Sequence, residues 1–156
     1  MFSLVQCLEV GEHIHEKYSY ELIKSLIKHS KLILFSAAQP GQGGYNHINE
    51  KNINWWKTIF NNEGYYALDL IRPVINKNNN VANFYKYNTV VYLHDSFVSG
   101  LNNIVKNSVV ENDKELIDCS PVIYKFRKYV LRLFHFKIFN IIAKIKIGFQ
   151  YILLRK

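Results

Sequence analysis

Cysteine is scarce in this chain: Cys7 and Cys119 are the only two among 156 residues. That is too few for a disulfide framework, and the expected setting is reduced and cytoplasmic. No basic segment followed by an apolar run precedes Cys7, so Met1-Phe2-Ser3-Leu4 does not read as a secretory signal. Long uncharged runs are missing too. The longest in the tail, Ile147–Leu154, falls well short of the roughly 20 apolar residues a spanning helix needs. Acid is absent from residues 121–156, which carry 9 Lys and Arg, whereas residues 1–120 carry 11 against 12 Asp and Glu. The formal charge of +8 is therefore −1 from the body and +9 from the tail. Basic charge segregated in this way points to an attachment element rather than to a nucleic-acid-binding body. There is no internal repeat, and no low-complexity tract beyond Asn78–Asn80.

What is present alternates between strand and helix signals. Phe2–Val10 is a continuous apolar run suited to a strand covered on both faces, and Lys31–Ala38 is a second. Between them Tyr18, Leu22, Ile23, Leu26 and Ile27 fall at helical spacing. Gln39–Glu50 is a Gly-rich loop opened by Pro40. Ile53, Trp56, Ile59 and Phe60 predict a helix over Asn52–Glu63, stopped at Gly64. Tyr65–Ile71 and the β-branched and aromatic run Tyr87–Leu93 predict two more strands, and a helix is expected near Phe97–Val109. Two strand–helix–strand units followed by a strand pair make an α/β layer structure.

In such sheets ligands sit beyond the carboxyl ends of the strands. Glu9, Glu12 and His13 lie where the first strand ends, and the loop after the second delivers Gln39, Gln42, Asn46, His47 and Asn49 to the same rim. Two carboxylates and two imidazoles (Glu9, Glu12, His13, His47) form a donor set suited to a divalent ion such as Mg, Mn or Fe more than to structural zinc. Helix capping by the same acids and imidazoles is the alternative. Gly41-Gln42-Gly43-Gly44 lacks the lysine and following helix of a phosphate loop, so it reads as a flexible loop that approaches a substrate. Trp55 and Trp56 are adjacent, so only one can face the core well. Packing and an aromatic substrate wall both remain open for the pair.

Cys7-Leu8-Glu9-Val10-Gly11-Glu12-His13-Ile14, Lys31–Ala38, Pro40-Gly41-Gln42-Gly43-Gly44 with His47-Ile48-Asn49-Glu50, Asn54-Trp55-Trp56 and Asp69-Leu70-Ile71-Arg72-Pro73 together resemble the C-terminal half of a class I S-adenosylmethionine-dependent methyltransferase. The resemblance covers residues 2–94. It implies a partial Rossmann-like sheet of about four strands with flanking helices, in which Tyr87–Leu93 is an antiparallel strand inserted near the edge. The Glu-x-x-Glu-His pattern is similar to that of metal-dependent O-methyltransferases acting on RNA 2′-hydroxyls or quinone-precursor phenols. By that likeness Glu9, Glu12, His13 and His47 would hold a divalent ion such as Mg and carry catalysis. Gln42, Asn46, Asn49 and Trp55 would face a small-molecule or sugar hydroxyl. The family's Gly-rich cofactor loop and ribose-binding acid have no counterpart here. The chain alone is therefore expected not to be a competent methyltransferase, being a truncated or split product, or one that completes its sheet with a partner chain or a second copy.

Residues 96–156 are expected to form a helical basic extension to a methyltransferase remnant at 1–95. Lys125, Lys128 and Arg132 recur among Phe126, Tyr129, Val130, Leu133, Phe134 and Phe136, and Lys144 and Lys146 follow among Ile141, Ile142, Ile145 and Ile147. Apolar bulk bordered by Lys and Arg suits a helix lying in an anionic membrane surface. Packing on the body is the competing reading. A nucleic-acid tract would be more polar. The alternative function is accordingly a non-catalytic membrane-surface or interaction protein.

Overall fold

In a computed structural model, residues 1–133 and Ile145 are described. Among the described residues the strands are β1 (Val5–Leu8), β2 (Leu32–Ser36), β3 (Tyr65–Leu68), β4 (Val90–His94) and β5 (Val109–Val110). The helices are α1 (Ser19–Ile27), α2 (Ile53–Asn62), α3 (Arg72–Ile75), α4 (Asn83–Asn88), α5 (Asn103–Lys106) and α6 (Val122–Arg132). The strands form one mixed sheet in the order β1-β2-β4-β3-β5. β1 pairs parallel to β2, while β4 lies antiparallel to both β2 and β3, and β5 antiparallel to β3. It follows that β1, β2 and β3 run in one direction and end at one rim. β4 begins at that rim.

Side-chain alternation gives the sheet two apolar faces, because successive residues of a strand point to opposite sides. Ile33, Phe35, Tyr65, Ala67, Val90 and Tyr92 join the larger core with Ile23 of α1 and Ile53, Trp56, Ile59 and Phe60 of α2. Phe60 stacks on Tyr92 with ring centroids 3.8 Å apart, and Phe35 lies 5.1 Å from Trp56. The alternate residues Leu68, Val91 and Leu93 form a smaller cluster with Leu32, Leu34, Val98, Leu101 and Val105. Unbroken apolar strands follow from a sheet covered on both sides.

α2 starts where Asn52 caps it, its side-chain oxygen accepting from the Asn54 amide at 2.8 Å, and it stops before Gly64 at φ +77°. The expected strand Tyr87–Leu93 is shorter and starts later, because Tyr87 and Asn88 belong to α4. The helix expected near Phe97–Val109 is instead a 3-10 turn, Asp95–Gly100, then α5 and the two-residue β5. The tail helix is present over Val122–Arg132. Its expected continuation through Lys144 and Lys146 lies outside the described residues. Among the described residues no helix is long and apolar enough to cross a membrane.

Candidate functional site

β1 hands over at Glu9, which adopts a left-handed conformation (φ 53°) unusual for a side chain with a Cβ. Its amide donates to the Ser36 carbonyl at 2.9 Å and contacts the Ser36 hydroxyl at 3.1 Å, locking the turn to the end of β2. The chain then coils through a 3-10 turn at Gly11–His13. Gly11 is needed there: a Cβ would stand 2.8 Å from the Trp56 ring and 3.3 Å from the Ala37 side chain. This close approach of turn, β2 and α2 drives Glu12 into the interior.

Glu12 is fully buried. Among the described residues neither carboxylate oxygen has a partner in full hydrogen-bond geometry, although the amides of Glu12 itself and Ala38 lie close enough to act on it. Burial is the largest cause of a pKa raised from 4.5 to about 7; Glu9 adds to it, while Glu12's own amide, His47 and the Ala38 amide offset part of it. An unpartnered buried carboxylate is costly and calls for an explanation. Glu12, His13 and His47 each bring one metal-binding atom within 4.8 Å of the others. The two rings meet edge to face with centroids 5.0 Å apart.

The His tautomers follow from their partners. The Nδ1 of His13 lies 3.1 Å from the Asn46 carbonyl, which can only accept, so Nδ1 carries the proton and Nε2 keeps its lone pair. The Nδ1 of His47 likewise faces the Glu50 carboxylate at 3.0 Å. Such carbonyl and carboxylate backing is what orients metal-binding imidazoles. Gly44 keeps the His47 ring clear, since any Cβ there would run into it.

Glu50 also explains the glycine loop. Its two oxygens accept from the amides of Gly41 at 2.7 Å and Gly43 at 3.0 Å. Both glycines have positive φ, +83° and +71°. From the other side α6 clamps the loop: Arg127 donates to the Gln42 carbonyl at 3.1 Å and Arg132 to that of Pro40 at 2.9 Å. The loop read from sequence as flexible is therefore held at both edges, and its amides already have an anion of their own.

The structure does not place Glu9 in the Glu12–His13–His47 cluster. Its Oε2 accepts from Gln42 Nε2 at 2.7 Å, Gln42 Oε1 accepts from Asn88 Nδ2 at 2.6 Å, and Asn88 Oδ1 accepts from Gln39 Nε2 at 2.9 Å. Gln42 also borders a cavity of about 450 Å³ with Gly43, Asn83, Phe84, Tyr124 and Arg127, a size that suits a small ligand. Asn46 takes a positive φ of 57° and orients His13. Asn49 is buried, donating to Gly11 O and Ser19 Oγ at 3.2 and 2.9 Å. Trp55 packs half-buried beside the core under the Lys51 ammonium. Trp56 is the one of the pair that fills the core. Glu50, Asn88 and Tyr124 were not legible as site residues, whereas Gln39 was expected at this rim; of the missed ones only the acid three positions after His47 carried a usable spacing signal. Comparison of the chain with protein-family models, curated proteins and solved structures returns no match.

Proposed function

We propose that the chain provides the acceptor half of an S-adenosylmethionine-dependent O-methyltransferase acting on a small-molecule or sugar hydroxyl. The observation that carries this reading is the convergence of Glu12, His13 and His47 at the rim, with the Glu12 oxygens buried and, among the described residues, without a partner in full hydrogen-bond geometry. The sheet lends partial support: β1, β2 and β3 run in one direction with antiparallel β4 between β2 and β3, although β4 is central in the five-stranded sheet rather than near its edge and β5 is antiparallel as well.

The cluster fits a divalent ion. One buried carboxylate and two imidazoles with free Nε2 atoms make a mixed oxygen and nitrogen set suited to Mn or Fe, with Mg as the hard-ion alternative. Glu12, His13 and His47 would hold it. Such an ion would act as a Lewis acid that lowers the pKa of a bound hydroxyl. Asn46 and Glu50 keep the imidazoles oriented. Gln42 fixes Glu9 and presents the wall of the adjoining cavity.

The fit to S-adenosylmethionine is poor among the described residues. The glycine loop is bound by Glu50 and clamped by α6, so it is not free to cradle the cofactor. No methyl-transfer step is assigned to these residues alone. The cofactor groups would come from a partner pairing with β1, an edge strand of the sheet.

The test is to add the purified chain, or its Glu12→Gln variant, to an extract of its source cells with methyl-labelled S-adenosylmethionine and Mg²⁺. Hydroxyl-methylated products should rise with the wild-type chain and fall about 100-fold or more with the variant. Equal labelling with wild type, variant and extract alone would remove the enzymatic reading. Clear binding of S-adenosylmethionine to the purified chain would remove the requirement for a partner.

A further inference from the structure

α6 packs inside out. Its inward face carries Lys128, which is buried and paired with Asp118 at 2.8 Å, and Tyr124, whose ring lies 5.1 Å from that of Tyr87. Its outward face carries Val122, Ile123, Phe126 and Tyr129, continued by Leu133, all between 63% and 83% exposed. At 3.6 residues per turn Val122, Phe126, Tyr129 and Leu133 form one stripe, with Lys125 and Arg132 along one border and Arg127 beyond the other. An ordinary surface helix turns its apolar stripe toward the core. A contiguous exposed stripe of this kind marks an interaction site.

We propose that α6 docks on an anionic bilayer surface, with Val122, Phe126, Tyr129 and Leu133 entering the headgroup boundary and Lys125, at the border of that stripe, facing lipid phosphates. Charge selects this occupant. Residues 121–156 hold 9 Lys and Arg and no acid, which complements an anionic leaflet. A second copy stacked on the same stripe would bring two such basic segments together with no acid in either to offset them. A nucleic acid would leave the Phe, Ile and Val side chains without a partner. Docking does not depend on the methyl-transfer reading. It does bear on the site, because α6 also holds the glycine loop through Arg127 and Arg132.

The experiment is co-sedimentation of the full chain with vesicles of phosphatidylcholine alone and of equimolar phosphatidylcholine and phosphatidylserine. Binding is expected to the mixed vesicles only, weakening as salt is raised, and falling about ten-fold or more in Phe126→Ser/Tyr129→Ser. No binding to mixed vesicles overturns the proposal, as does binding that the double substitution leaves unchanged. A solution dimer split by the same substitutions would assign the stripe to a second copy and overturn it as well. Circular dichroism completes the test. Both side chains point outward, so a variant that loses its fold shows the stripe packing within the chain, which also counts against docking.

Discussion

Glu12 is the residue on which the site turns. Its raised pKa means the folded chain keeps a proton that the unfolded chain has released between pH 4.5 and about 7. Its contribution to stability is fully present below pH 4.5 and is lost as pH rises through that window, reaching about 3 kcal/mol above pH 7. Glu12→Gln should therefore match the wild type at pH 4 in chelator and be more stable at pH 8, as read by urea denaturation at both values; parallel profiles would contradict the buried carboxylate. Gly11→Ala places a methyl against the buried Trp56 ring and should cost about 1–3 kcal/mol in the same assay. Glu12, His13 and His47 were legible because an apolar strand breaking into acid and histidine marks a strand end. That Glu9 faces elsewhere was not, since its left-handed backbone and the Gln42–Asn88–Gln39 chain depend on groups 27 or more residues away.

The elements were readable where periodicity was long and unreadable where it was short. β1 to β4 each carry a largely unbroken apolar run and α1 and α2 apolar residues at period 3.6, and each forms close to its expected place. The segment between His94 and Ser120 has no such run. Val98, Leu101 and Val105 are spaced widely enough to cover the sheet's second face from a broken 3-10 turn, a loop and a single helical turn. The glycine loop misled for a different reason. Glycine read as flexibility, but here it supplies the positive φ that aims two amides at Glu50. Glu50 thus links the loop to His47, and Glu50→Gln should lower divalent-ion affinity about 10–100-fold with the fold retained. Mn²⁺ titration beside a circular dichroism spectrum checks both halves of that statement.

At the scale of the molecule the edge strand β1, the rim cluster and the outward stripe of α6 share one scaffold. α6 belongs to the basic segment by sequence, yet its inner face holds Pro40 and Gln42. Charge segregation revealed the segment, but which of its sides faces the body was hidden, because Lys128 finds a partner ten residues away in Asp118 and turns the apolar stripe outward. The central claim is that Glu12, His13 and His47 form a divalent-ion acceptor site. Calorimetric titration of Mn²⁺ into the metal-free chain near pH 7.5, for wild type, Glu12→Gln and His47→Ala, tests it most directly. The account predicts one saturable site per wild-type chain and none in either variant. No saturable heat from the folded wild type, or equal heats from all three chains, would contradict it.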